Sequence, residues 1–330
     1  MTANLRPMTL GEILDRAVQI YRGRFLVLAG ISALPALAMF GIHAADRAWL
    51  HLNSLFHSSD RGSTTAWNFI VYLFYYHISG FLGLLFLPAS VKFTSDEIHD
   101  GSGTFLSSLQ FAKARWKSFL WVAVLKVFAV LVIPEILMTV LLLGTAIIEV
   151  AMGTIKSGES VLVFLVLVLL VAGFVLFVWL SACLSLVVPA CAMEGTAGIG
   201  VFRRSWLLSK GSRFRVFFTW LMVGALGYLM MFVVQFLSWK LAIFFGHGHR
   251  LGVAAQHLYI ELTSLLYAAV SAFVIPIYAI ALTLIYYDQR IRHEGYDIER
   301  MMEAAGMNPP TPAHTEASNV ATAEAVENQA

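Results

Sequence analysis

Residues 189–217 read PACAMEGTAGIGVFRRSWLLSKGSRFRVF, and this passage sets the architecture. The chain leaves an apolar span at Pro189, crosses an acidic, glycine-rich turn, and becomes a basic amphipathic segment carrying Trp206. Directly after Arg213 and Arg215 it enters another apolar span. Weaker versions of the same transition occur at Leu5–Phe25 and Lys92–Phe119.

Composition explains why such transitions matter. The 330 residues are 59% hydrophobic and only 13% charged, with a mean hydropathy of +0.76. A soluble domain carries roughly 45–50% apolar and about 25% charged residues. The missing charge leaves too little polar surface to cover a soluble particle, so lipid has to be the solvent for much of the chain. Net charge is +2, and the information lies in where the charges sit. Cys183 and Cys191 fall in one apolar span, too far apart along a helix to bridge, and read as small buried hydrophobes. Arg6, Arg16, Arg22 and Arg24 precede a span too long for a signal-peptide core and without a small-x-small cleavage site, so that span reads as a retained first membrane helix.

Working outward, Thr9-Leu-Gly-Glu12 is a capping box. Leu10, Ile13, Leu14, Ala17, Val18 and Tyr21 then follow helical spacing, opposite Glu12, Arg16, Gln19 and Arg22. A helix lying in the membrane interface suits this pattern; packing on protein is the other reading. Six apolar spans follow, at Phe25–Ala45, Trp67–Val91, Phe119–Ile148, Val161–Cys191, Val216–Phe245 and Tyr259–Tyr287. Each is long enough for a hydrocarbon core that takes roughly 20 helical residues. Two-residue alternation is missing, which argues against a β-barrel. Pro35, Pro88, Pro134, Pro189 and Pro276 predict kinks.

Lysine and arginine fix the expected orientation. Arg6, Arg16, Arg22, Arg24, Lys92, Lys113, Arg115, Lys117, Arg203, Arg204, Lys210, Arg213, Arg215, Arg290, Arg292 and Arg300 collect on one side. Arg47, Arg61, Lys156 and Arg250 occupy the other, an asymmetry of about four to one that puts both termini in the cytoplasm. Trp67, Trp116, Trp121, Trp220, Trp239, Tyr259, Tyr286 and Tyr287 fall near span ends, as interfacial rings do. Taken in pairs, the spans form three hairpins, each led by a basic segment ending Arg24-Phe25, Arg115-Trp-Lys-Ser-Phe119 or Arg213-Phe-Arg-Val-Phe217. The second helices carry Pro88, Pro189 and Pro276. The expected organisation is an interfacial helix over 1–24, a six-helix membrane domain over 25–287, a short charged helix over 288–304, and a disordered Pro/Thr/Ala/Glu tail over 305–330.

The run Pro189-x4-Glu194…Arg203-Arg204-Ser205-Trp206…Arg213-Phe214, the opening Leu10-Gly-Glu-Ile-Leu-Asp-Arg16, and the closing Tyr286-Tyr-Asp-Gln-Arg-Ile-Arg-His-Glu-Gly-Tyr-Asp297 carry a resemblance. They resemble the membrane domain of some glycerophosphoryl diester phosphodiesterases and of related bacterial multi-pass proteins built from that domain alone. The resemblance covers almost everything before the tail. It implies membrane residence and a fold; in the fused enzymes the chemistry belongs to a separate soluble barrel of roughly 250 residues, for which no stretch here could serve.

Candidate chemistry is sparse. Glu135 lies about 27 Å of helix beyond Lys117 and should be protonated or partnered. Gln235 reaches a similar depth, which suggests a Glu135–Gln235 hydrogen bond; a tilt that lifts Glu135 to the outer headgroups is the alternative. Lys126 is placed to snorkel toward the basic side, and His77 reads as a hydrogen-bonded interior group. His43, His51, His57, His247, His249 and His257, with Asp46, Asp60 and Glu261, could in principle bind zinc, but their spacing is that of scattered loop histidines. Asp96, Glu97, His99 and Asp100 read as a solvated turn. Arg203, Arg204, Lys210, Arg213 and Arg215 are candidates for contacts to anionic lipid headgroups. No phosphate loop, nucleophile elbow or Cys/His catalytic set occurs, and no cofactor or nucleic-acid partner is implied.

The expectation is an all-α, non-enzymatic multi-pass protein of the bacterial cytoplasmic membrane, a scaffold or a lipid-associated partner for another membrane protein. A transporter or lipid-moving protein using Glu135, Gln235, Lys126 and His77 is the alternative. A continuous polar cavity would favour transport, and a tightly packed bundle a scaffold.

Overall fold

The structure, a computed structural model, describes residues 7–56, 63–99, 101–152, 161–195, 198–245 and 253–304. Every regular element among the described residues is a helix. They run α1 (Leu10–Gly23), α2 (Phe25–Phe56), α3 (Ser63–His99), α4 (Phe105–Ala114), α5 (Trp116–Val127), a π-helical turn (Phe128–Val132), α6 (Ile133–Met152), α7 (Val161–Cys183), α8 (Val187–Glu194), α9 (Ile199–Leu208), α10 (Arg213–Phe245), α11 (Val253–Glu294) and α12 (Tyr296–Ala304).

Among the described residues, six helical stretches are long and apolar enough to cross a membrane: Phe25–Ala45, Leu73–His99, Trp116–Thr145, Phe164–Glu194, Arg213–Lys240 and Glu261–Glu294. This is the fold of a multi-pass membrane protein. Burial within the protein runs against hydropathy at the extremes. Phe164–Glu194 has the highest mean hydropathy, 2.9, and the most hydrophobic part of it is 0% buried, whereas the corresponding part of Glu261–Glu294, at 2.3, is 56% buried. A helix facing lipid must be apolar all round, while one in the middle can place polar groups against protein partners. Accordingly α11 is the central element, packing against α1, α2, α3, α8, α9, α10 and α12. α2 also packs on α3, α6 on α7, and α7 on α10.

Local rules account for the interruptions. Thr9 caps α1: its hydroxyl accepts from the Glu12 amide at 3.3 Å, and the Thr9 amide donates to Glu12 Oε2 at 2.7 Å. Ile13, Ala17 and Ile20 are turned inward and buried, so the apolar stripe of α1 lies on the bundle. Pro134 lacks an N–H and its ring collides with the carbonyl of Val130, and the helix widens into its π-helical turn just upstream. Pro189 sits just past a break at residues 184–186. Pro35, Pro88 and Pro276 lie within continuous helices. Gly195, at φ +69°, stops α8 in the left-handed conformation that glycine adopts freely.

The sequence boundary at 287/288 is not a structural one. α11 continues through Asp288 to Glu294 before Gly295 breaks it, because the charges after Tyr287 have partners inside the protein. The apolar core is concentrated at this end of the bundle, where Ile13, Leu28, Phe93, Leu186, Leu208, Leu282 and Ile285 are fully or almost fully buried.

Candidate functional site

Two features stand out: a polar layer at the basic end of the bundle and an apolar cavity deeper in. The layer has two carboxylate centres. Asp288, fully buried, receives Arg215 Nη1 at 2.7 Å and Arg292 Nε at 2.9 Å. The Met8 amide donates to the same carboxylate at 2.8 Å and the Gln289 side chain at 3.1 Å. Both arginines turn back to the Met8 carbonyl, Arg292 Nη2 at 2.9 Å and Arg215 Nη1 at 3.3 Å. One aspartate thereby ties the lead-in to α1 to the start of α10 and the end of α11. A buried carboxylate is tolerable only with its charge matched and its lone pairs filled, and here both conditions are met.

The second centre is Glu194, at the end of α8. Arg204 Nε donates to both of its oxygens at 2.9 Å, and the Tyr286 hydroxyl donates to Oε1 at 2.9 Å. Arg204 also pairs with Glu294, which in turn accepts from Arg290 Nε at 3.1 Å. Burial opposes the charge on Arg204, but hydrogen bonds and charge from Glu294 and Glu194 outweigh it and hold the guanidinium above its ordinary pKa. Around this centre Ser205 donates to the Cys183 carbonyl at 3.0 Å, Ser95 and Tyr287 share a hydrogen bond of 2.7 Å, and Arg290 lies 4.2 Å from the Tyr296 ring. Arg24 donates to Glu97 at 3.0 Å.

Three stretches far apart in the chain, 189–215, 286–297 and the residues around Met8, therefore meet in one layer. Comparison of the chain with protein-family models, curated proteins and solved structures returned no match. The layer has to be read from its own chemistry. Asp288 and Glu194 are saturated by arginines, and Tyr286 donates to a fixed acceptor. Such a layer clamps helices to one another.

The five cations expected at headgroups are consequently divided. Arg204 and Arg215 are committed to carboxylates, and Arg213 lies 5.0 Å from the Trp206 ring and 5.7 Å from that of Trp179. Arg203 and Lys210 stay exposed. Tyr286 and Tyr287, expected as interfacial rings, are instead buried, because each hydroxyl has a protein partner. Trp116, Trp121, Trp220 and Trp239 are exposed; the Trp67 side chain is outside the described residues. Asp96 and Glu97 close α3, paired with Lys92 at 2.6 Å and with Arg24, and are no loose turn; Asp100 lies outside the described residues.

Deeper in, the expected Glu135–Gln235 bond does not form. Glu135 Oε2 meets His77 Nε2 at 2.9 Å, and Gln235 Oε1 accepts from the Tyr267 hydroxyl at 2.5 Å. Both polar groups have a partner on another helix, Glu135 of α6 on α3 and Gln235 of α10 on α11. His77 Nδ1 also lies 2.7 Å from the Leu73 carbonyl, consistent with a hydrogen-bonded interior histidine. Of the zinc candidates, His43 stacks on Tyr75 at 4.1 Å, and no group of three metal-ligating side chains occurs among the described residues. The side chains of Asp46, His51, His57, Asp60, His247, His249 and His257 lie outside them. Cys183 and Cys191 are free and buried.

Lys126 lines a cavity of about 560 Å³ among α3, α5, α7, α10 and α11. Leu84, Leu87, Val130, Leu131, Val223 and Val274 make its wall mainly apolar. A neighbouring cavity of about 430 Å³ between α2, α3 and α11 shares Ser79, Gly83 and Ile275 with it. The bundle is thus not tightly packed throughout.

Proposed function

We propose that this chain is a non-enzymatic, lipid-associated scaffold of the bacterial cytoplasmic membrane, with both termini in the cytoplasm. Three hairpins, α2–α3, α5–α8 and α10–α11, each follow a basic segment at the inner leaflet, in the manner of the membrane domain that the sequence resembles. The observation carrying the reading is the saturated polar layer: the residues of that resemblance are consumed in joining helices to one another. Arg203 and Lys210, exposed beside it, are left to face anionic headgroups, where each cation is worth about 1 kcal/mol. The alternative, a lipid-moving protein, draws support from the cavity at Lys126.

Reporter fusions at residues 100 and 200 and at both termini test the layout, and all four should report the cytoplasm; any one on the other side ends the proposal. Affinity purification from native membranes, with lipid mass spectrometry of the eluate, tests the role. Enrichment of anionic lipid that falls when Arg203 and Lys210 are changed to Gln supports it, and an eluate with bulk lipid composition and no protein partner refutes it.

A further inference from the structure

We propose that the cavity beside Lys126 binds a long-chain fatty acid anion, with its carboxylate at Lys126 and its chain running toward the far half of the bundle. This deepens the lipid-associated reading above and rests on it. Lys126 makes no hydrogen bond or ion pair among the described residues, and it sits in a wall that is mainly apolar. An ammonium at that depth demands a counter-charge. The nearest carboxylate in its own span, Glu135, is already paired with His77.

Lys126 is not alone at this level. The hydroxyls of Ser181 on α7 and Tyr278 on α11 line the same cavity and likewise have no partner among the described residues. Lys126 follows Trp116 by ten residues and Tyr278 precedes Asp288 by ten, about 15 Å of helix in each case. Both therefore stand near the end of the cavity that faces the basic layer. Met231, eighteen residues beyond Arg213, lies at the opposite end. Lys126, Ser181 and Tyr278 gather at the end facing the basic side, whereas the opposite end is mainly apolar apart from Ser79 and Tyr228, an arrangement that suits an amphiphile with its head group toward the basic side.

Size and charge select the ligand. A volume of about 560 Å³ falls within the roughly 300–1,000 Å³ that encloses a drug-sized molecule, which suits one acyl chain better than a whole two-chain phospholipid. One ammonium with two neutral hydroxyls matches a single negative charge, and a carboxylate can accept from all three donors. The space reaches the backbone of α3 and α10: a Cβ added at Gly83 or Gly224 would meet nothing within 4 Å.

The test uses the full chain in phosphatidylcholine nanodiscs with a diazirine-bearing palmitate, the cross-links being mapped by peptide mass spectrometry. Adducts should fall on the cavity-lining parts of α3, α5 and α10 and be competed by palmitate but not by hexadecanol. Lys126→Met should cut labelling about tenfold, the loss of one charge-assisted hydrogen bond, while Lys126→Arg retains it. Gly224→Phe, which fills the cavity without touching the cation, should abolish labelling with the thermal melt unchanged. Labelling spread over the lipid-facing sides of α6 and α7, equal competition by hexadecanol, or indifference to Lys126→Met would overturn the proposal. Preferential displacement by phosphatidylglycerol would overturn it too, in favour of a phospholipid. Anionic lipid in the native eluate alongside any of these results would leave the scaffold reading standing and remove only the fatty acid.

Discussion

At the scale of the residue, Asp288 has the clearest claim to importance. It is fully buried, and its removal strands two guanidiniums and the Met8 amide. Breaking a buried charge cluster from one side costs about 3–5 kcal/mol, and partial solvation of Arg215 and Arg292 places Asp288→Ala near the lower figure. A marked fall in melting temperature in detergent is expected, and an unchanged melt would show that the cluster contributes nothing. The His77–Glu135 contact makes a complementary case. His77→Leu should destabilise by about 1–3 kcal/mol by leaving a carboxyl without its partner, and adding Glu135→Leu should restore most of the loss. If the double variant is as unstable as the single, the pairing is not what holds those helices. The pairs Asp288–Arg292 and Arg290–Glu294 have the i,i+4 spacing of neighbours on one helix face. Their burial, and the choice of His77 over Gln235 by Glu135, were not, because depth along a helix says nothing about which neighbour stands beside it.

At the scale of the element, the five prolines expected to kink their helices fall into two groups. Pro134 is accommodated by a π-helical turn and Pro189 by a break between α7 and α8, while three other prolines stay within unbroken helices. Gly195 is different in kind, since its φ of +69° is open to few other residues and a Cβ there would approach Arg115 Nη1 at 3.3 Å. Gly195→Val should cost about 1–2 kcal/mol and loosen the Glu194 centre one residue away, read as faster hydrogen exchange at the end of α8. Exchange equal to the parent would mean that the turn relaxes freely. The capping box and the apolar stripe of α1 were fully legible, because both depend on residues within one or two turns. That the stripe faces the bundle required its neighbours.

At the scale of the whole molecule, lipid and protein divide the six long helices between them. α7 carries the most apolar stretch and faces outward, so its middle has no protein group to offer a charge. Leu170, 53% exposed in α7, tests this division: Leu170→Arg should cost about 3 kcal/mol of insertion free energy, read in a glycosylation-based insertion assay. Full insertion of the variant would place α7 against water or a polar partner instead of lipid. The count of six long apolar helices and their approximate limits came from composition and span length alone, since hydrocarbon thickness leaves the chain few other solutions. The same arithmetic put charge at alternate loops. Order among the helices, the central place of α11, the saturation of Glu194 and Asp288, and the space beside Lys126 emerge only once the helices are packed. Partition into lipid is a property each segment has by itself, whereas a hydrogen bond or a cavity between helices depends on several segments at once, and no one of them encodes it.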